Sequence, residues 1–275
     1  MLQSFDILGR TVGMYGIATV VGMFLAFLLV YFPNKKKGIS FDEALMSGVS
    51  ALIGLTILGH FLYGITRLPA FFHVLSSHFS EIGSLWNFIL LLAETFGGMV
   101  FYGGLFGFLI GIYFYCRFTR KDKRLYFNAF APGLALFHVF GRIGCFFGGC
   151  CYGIEYHGPL NVLFPKSAII GYANSDIADF TRFPVQLLES GLEFLLCIAL
   201  VILLKKFGNK FSLIKIYLFS YSIIRFSDEF LRGDKIRGFW GPFSTSQWIS
   251  LIIFVVITGL FIKDKLLKKQ EGKGE

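Results

Sequence analysis

Long apolar runs separated by short polar segments organise this chain. Seven of them, at about 13–32, 44–66, 97–116, 127–152, 185–204, 212–231 and 245–262, predict membrane-spanning helices, because crossing hydrocarbon takes roughly 20 apolar residues. A shorter run, Trp86 to Phe96, is cut from the third span by Gly97 and Gly98 and reads as interfacial or re-entrant. Pro132 and the Gly148–Gly149 pair predict a kink or break in the fourth.

Composition agrees. Hydrophobic residues make up 55% of the chain and charged residues 16%, against about 25% charged in a soluble domain. Residues 1–275 therefore read as one integral membrane domain, an all-α polytopic bundle. The first apolar run lacks an early basic region and a small-residue cleavage site, so it reads as a retained helix. The net charge of +9 suits nucleic acid at first sight, but its distribution points to topology instead. Lys35–Lys37, Arg117–Arg124, Lys205–Lys215 and Lys263–Lys273 bring basic clusters after the first, third, fifth and seventh spans. The positive-inside rule then places the N-terminus outside and the C-terminus in the cytoplasm. Residues 154–184 become an external loop or small cap, and 263–275 a cytoplasmic tail. No nucleic-acid partner is expected.

The polar residues inside this apolar frame carry the chemistry. His138 to Gly153 reads HVFGRIGCFFGGCCYG. An ionised side chain at a bilayer centre costs about 2.5–3.5 kcal/mol on insertion scales, so Arg142, with no acid close in sequence, points to an anion site. Arg142 and Cys145 are three apart and share a helix face. Arg225, Glu229 and Arg232 fall on one stripe of the sixth helix, with Arg225–Glu229 an obvious ion pair. Arg182, Gln186 and Glu189 form a third cluster, in which Pro184 suits a helix's first turn. Tyr102 lies among glycines, including Gly103 and Gly104, and Tyr15 begins the first span. Several arginines at one membrane level suit phosphate, whose oxygens a guanidinium fork binds in pairs.

Cys116 and Cys197 stand alone on apolar segments and read as packing residues. Cys145, Cys150 and Cys151 follow a C-x4-C-C pattern, which lacks the C-x2-C spacing of a zinc knuckle. His138 and His157 could complete a cysteine-rich site, but neither a metal nor another cofactor is expected. Two readings of these cysteines stay open: a reactive thiol beside Arg142, or small polarizable packing residues at a helix break. His60, His73 and His78 read as structural or surface histidines.

Five motifs, in order, resemble the bacterial prolipoprotein diacylglyceryl transferases over nearly the whole chain. MYG at Met14–Gly16 is similar to the family's WYG, and GGMVFYGG at Gly97–Gly104 to its GGMSFHGG. Ala131–Gly153 resembles the signature GR-x-GN-F-x-N-x-E with its closing glycine. Arg182–Glu189, RFPVQLLE, resembles RHPSQLYE, and Ile224–Asp234 resembles FR-x-x-x-EFFR-x-PD. The resemblance implies a multi-pass protein of the bacterial plasma (inner) membrane, active in lipoprotein maturation. It implies transfer of a diacylglyceryl group from phosphatidylglycerol to the thiol of a lipobox cysteine on a secreted precursor, with glycerol phosphate leaving. Membrane lipids and the precursor would be its partners.

Carried over by position, Arg142 and Arg225 would be catalytic, holding phosphate and stabilising the leaving group. Glu229 would orient Arg225, Gly153 would allow close packing, and Tyr15 would contact the head group. Tyr102 stands where the family has histidine; Cys145, Gly148 and Cys150 stand at its two asparagines and glutamate. Tyr102, a poor base at neutral pH, stays a catalytic candidate by position, and Cys145 or Cys150 would take over proton handling, while Gly103, Gly104, Arg182, Gln186 and Arg232 would line the lipid site. The gained thiols also raise two alternatives: a membrane thiol or redox enzyme using Cys145, Cys150 and Cys151, and a non-catalytic anionic-lipid-binding protein.

Overall fold

The computed structural model describes residues 4–7, 10–77, 84–163, 180–234 and 238–271. Lys166, Lys235, Arg237, Lys273 and His78, and residues 164–179 of the expected external loop, lie outside the described residues. The chain divides into two compact units, residues 37–127 and residues 1–36 with 128–275.

The 37–127 unit contains α2 (Phe41–Ser77), α3 (Leu85–Phe96) and α4 (Phe101–Phe118). A reciprocal cap starts α2: the Ser40 N–H donates to Glu43 Oε2 at 2.9 Å, and the Glu43 N–H donates to Ser40 Oγ at 3.2 Å. Helix α2 runs 37 residues, past Pro69 and well beyond the expected end at 66. The apolar run before the third span is helical as α3, capped by Ser84. Glycines govern how α4 meets α2. A Cβ on Gly107 would collide with the Gly54 carbonyl oxygen, and one on Gly111 with that of Ser50. Such glycines, four residues apart, let two backbones approach in an apolar medium where the hydrophobic effect offers little drive. The Ser50 hydroxyl donates to the Gly111 carbonyl at 2.9 Å. His60 Nδ1 lies 2.9 Å from the Phe96 carbonyl oxygen, a structural role as expected.

The other unit begins with an antiparallel pair, β1 (Ser4–Ile7) and β2 (Arg10–Gly13), which the hydrophobic pattern did not reveal. Next come α1 (Met14–Tyr31), the 128–147 part of α5 (Lys123–Phe147), α6 (Val185–Phe207), α7 (Leu213–Asp228) and α8 (Thr245–Glu271). Helix α1 lies along α5 through glycines: a Cβ on Gly133 would sit 2.9 Å from Val30, and one on Gly144 would sit 3.0 Å from the Tyr15 ring. The fourth expected span breaks where foreseen, since α5 ends at Phe147 and Gly149 takes φ +67°. Cys197 is buried on α6, its sulfur 3.4 Å from the Pro132 carbonyl oxygen, and packs as expected. Asn128 caps α7 from α5: its side-chain oxygen accepts from the Leu213 N–H at 2.8 Å. Ser244 and Gln247 form a reciprocal cap at the start of α8.

Among the described residues, six helices are long and apolar enough to cross a membrane: α1, α2, α4, α5, α6 and α8. The expected sixth span forms the 16-residue α7, extended by a one-turn 3-10 helix, Glu229–Leu231. Val20, Phe24, Ile57, Leu195 and Val255 stand 59–65% exposed on these helices, the arrangement expected of lipid-facing side chains. Two further strand pairs are β3 (Val162–Leu163) with β4 (Thr181–Arg182) and β5 (Phe239–Trp240) with β6 (Phe243–Ser244).

Candidate functional site

Helices α5, α6 and α7 enclose a buried polar cluster. Along α6, Gln186, Glu189, Ser190 and Glu193 are all buried, spaced by three and four so that they share a face. Glu189 Oε2 lies 2.8 Å from Arg142 Nη2 of α5 as an ion pair, and its Oε1 lies 3.3 Å from His138 Nε2. His138 Nδ1 lies 3.7 Å from Glu193 Oε1, and its ring meets Tyr221 of α7 edge-on at 5.0 Å. The Ser190 hydroxyl donates to the Val139 carbonyl at 3.2 Å, locking α6 onto α5.

Arg225 projects from the last turn of α7. Its Nη2 pairs with Glu229 Oε2 at 2.6 Å and donates to Ser246 Oγ at 3.2 Å. This is the i,i+4 pair expected from sequence. Arg142 and Arg225 are only 7% and 6% exposed, and both act on the charge of Glu189 and on Asp228. Arg142 meets Glu189 and Arg225 meets Glu229, and the two guanidinium groups share the electrostatic field of Glu189 and Asp228. Arg142 Nε and Arg225 Nη1 are buried with no hydrogen-bond acceptor among the described residues. Leaving such a donor unmet costs about 1–3 kcal/mol or more.

Arg232 corrects the expectation of a single stripe with Arg225 and Glu229. The helix ends at Asp228, and Arg232 follows the 3-10 turn in extended backbone, paired with Gly153. Its guanidinium forks onto Asp234, with Nε to Oδ1 at 2.9 Å and Nη2 to Oδ2 at 2.5 Å. Burial disfavours that charge, but Cys151 and the Asp234 carboxylate more than offset it and raise the Arg232 pKa.

Residues 152–156 tie these parts together. The Ile154 N–H donates to the Leu231 carbonyl at 2.9 Å, and the Gly233 N–H donates to that of Tyr152 at 2.9 Å. On the other edge, the Phe183 N–H donates to the Ile154 carbonyl at 3.0 Å, and the Tyr156 N–H to the Thr181 carbonyl at 3.0 Å. Gly153 is squeezed between: a Cβ there would strike the Phe183 carbonyl oxygen and lie 3.1 Å from that of Leu231. Its glycine is thus a packing requirement. Arg182 donates from Nη1 to the Gly153 carbonyl at 3.2 Å and stacks 4.6 Å over the Tyr152 ring. Gln186 Nε2 donates to the Cys150 carbonyl at 2.9 Å. Both residues brace the loop leaving α5.

That loop gathers three sulfurs. The Sγ atoms of Cys145, Cys150 and Cys151 lie within 4.8 Å of one another, each residue partly exposed, and all three are free thiols. Neighbouring side chains normally alternate faces in extended chain, but Cys151 takes φ +55° directly after the turn at Gly149. Hydrogen bonds from Cys145 and Cys150 hold the Cys151 thiol well below its ordinary pKa against burial, with Arg232 and Arg142 adding to the effect. Tyr15 lies beside the same cluster, in the field of all three cysteines and Arg142, and is half exposed. His138 is engaged with Glu189, while His157 stands exposed beside Glu155; neither joins the sulfurs.

Tyr102, Gly103 and Gly104 belong to the 37–127 unit. Tyr102 is buried at the start of α4 and stacks on Phe106. A Cβ on Gly103 would lie 2.8 Å from the Leu58 carbonyl oxygen, whereas Gly104 has ordinary clearance from Leu55.

Residues 3–263 match the family model described as prolipoprotein diacylglyceryl transferase. The chain belongs to that family. Among curated relatives, the phosphatidylglycerol–prolipoprotein diacylglyceryl transferase of Clostridium tetani is 31% identical over 258 residues, 94% of each chain. Transferase 2 of Clostridium perfringens is 31% identical over 271 residues, 98% of this chain and 96% of the relative. The transferase of Helicobacter pylori strain J99 is 29% identical, covering 94% of this chain and 91% of its own. Neither the redox nor the purely lipid-binding alternative has support among these relatives. With its apolar helices, this member of the diacylglyceryl transferase family is a multi-pass membrane protein. Its polar core also holds residues that sequence reasoning missed: Glu193, Asp228 and Ser246. Asp228 was visible beside Glu229, but Glu193 and Ser246 carried no signal short of the three-dimensional fold.

Proposed function

We propose that this chain transfers a diacylglyceryl group from phosphatidylglycerol to the thiol of a lipobox cysteine on a secreted precursor, in the bacterial plasma (inner) membrane. The family and its named relatives support the reaction class. The observation that carries it to this site is the pair of buried guanidinium groups, Arg142 and Arg225, each with an N–H lacking an acceptor among the described residues. A lipid phosphodiester supplies the missing acceptor oxygens. As the C–O bond to phosphate breaks, charge grows on the leaving glycerol phosphate, and fixed guanidinium donors stabilise that charge more than the ground state. Glu189 and Glu229 hold the two arginines in place. Tyr15, Gly153, Arg182, Gln186 and Arg232 position the head group and the loop around it.

Purified protein incubated with labelled phosphatidylglycerol and a lipobox peptide tests the proposal. A peptide gaining the diacylglyceryl mass, with glycerol phosphate released in equal amount, is the expected result. Arg142→Ala and Arg225→Ala should each lower turnover about 10²–10³-fold, the usual effect of removing one transition-state donor, while the protein still inserts. Wild-type turnover in both variants would move the site elsewhere.

A further inference from the structure

We infer that Cys145, Cys150 and Cys151 form a three-thiolate zinc site whose open fourth position takes up the acceptor thiol. The inference rests on the transferase reading above and names the group that activates that reaction's nucleophile.

The geometry is the starting point. All three sulfurs lie within 4.8 Å of one another. Zinc–thiolate bonds of about 2.3 Å in a tetrahedron place sulfurs about 3.8 Å apart, so modest side-chain rotation closes the set on one ion. The backbone is arranged for it. Cys145 lies in the last turn of α5, the Cys150 N–H donates back to the Cys145 carbonyl at 3.2 Å, and the left-handed Cys151 brings its sulfur to the same side. Gln186 fixes the loop from α6 through the Cys150 carbonyl.

The number of ligands decides the kind of site. Among the described residues no fourth histidine, cysteine, aspartate or glutamate joins the three sulfurs, and each cysteine is partly exposed. A structural zinc site is closed by four protein ligands; three ligands and an accessible position are the pattern of a reactive one. Charge also fits. Three thiolates and Zn2+ sum to one negative charge, and a fourth thiolate makes two, beside the Arg142 and Arg232 guanidinium groups that act on Cys151.

The chemistry gives such a site a use. The reaction alkylates a thiol, and only the thiolate is an effective nucleophile. A thiol that coordinates a metal ion is deprotonated outright. The acceptor sulfur binds at the open position as its proton passes to water. Its lone pair then forms the S–C bond to the lipid glycerol carbon. The C–O bond to phosphate breaks, and its electron pair leaves with glycerol phosphate. No oxidant or reductant enters. The thioether product is a poor ligand and vacates the position.

Metal analysis of the full-length protein in phosphatidylglycerol nanodiscs tests this first. About one zinc per chain is expected in the wild type and none in the C145S/C150S/C151S variant. Should that variant fail to accumulate, chelated wild type supplied again with zinc makes the same comparison. Cobalt substitution gives a second readout. A lipobox peptide carrying cysteine should intensify the thiolate-to-cobalt absorption, and a serine version should not. Chain that takes up no zinc, or that carries a disulfide within the cluster, overturns the inference. So does undiminished transfer by zinc-free protein, which leaves the transferase reading intact. Zinc binding and the cobalt response without any transfer would instead sink the transferase reading and leave the site standing.

Discussion

Glu189 links α6 to α5 through its ion pair with Arg142 and its close approach to His138, in surroundings that leave it 1% exposed. A buried ion pair need not stabilise a fold relative to apolar residues, but removing one partner strands the other charge and typically costs about 3–5 kcal/mol. Glu189→Ala should therefore destabilise the protein by about that amount in denaturant unfolding in detergent. Unchanged stability would mean that Arg142 finds another anion, such as lipid. The pairing also shows what sequence could and could not reveal about the site. Arg225–Glu229 was legible because both partners sit on one helix, four residues apart. Arg142 had no acid nearby in sequence, since its partner lies 47 positions along on a different helix. Glu189 stood in view in the third cluster, but periodicity fixes the face a residue shares with its own helix, not which neighbour it meets. The sulfur cluster was hidden for a related reason. C-x4-C-C looks ill-suited to one centre until the helix end at Phe147 and the positive φ at Cys151 fold it over.

Element lengths and junctions were more legible than contacts. The break at Gly148–Gly149 followed from glycine's tolerance of positive φ, and α5 stops there. Helix α2 outran its expected end because Pro69 does not terminate it; hydropathy marks where lipid suits a helix, not where hydrogen bonding stops. The β1–β2 pair was missed because four-residue strands leave no periodic signal. Packing within the 37–127 unit gives a sharp prediction. Gly107 and Gly54 meet carbonyl to Cα, so Gly107→Val forces α4 away from α2. Overpacking of this kind costs about 1–3 kcal/mol, and the variant should lose resistance to proteolysis and thermal unfolding. Gly259 on α8, with no neighbouring atom within 4 Å of an added Cβ, is the control: Gly259→Ala should behave as wild type. Equal loss in both variants would point to general helix effects rather than the α2–α4 crossing.

Orientation is a property of the whole molecule, and it turns on α7. Among the described residues, six helices meet the length and apolarity needed to cross a bilayer, and an even number would return both termini to one side. Helix α7 has 16 residues and continues into a three-residue 3-10 turn. At about 1.5 Å per residue in the helix and 2.0 Å in the turn, the two reach about 30 Å, the thickness of the hydrocarbon core. We propose that α7 crosses, which makes seven spans and separates the termini. The basic clusters after α1, α4, α6 and at the end of α8 then all face the cytoplasm, satisfying the positive-inside rule without exception among them. Arg142, Arg225 and the sulfur cluster would meet the outer leaflet, where a secreted precursor is reached. Reporter fusions test this directly. A fluorescent protein at the C-terminus should glow and alkaline phosphatase there should be inactive, whereas phosphatase joined at the N-terminus should be active. Both termini reporting cytoplasm would remove α7 from the count, bury the basic clusters of alternate loops on the wrong face, and place the polar core where no exported precursor could reach it.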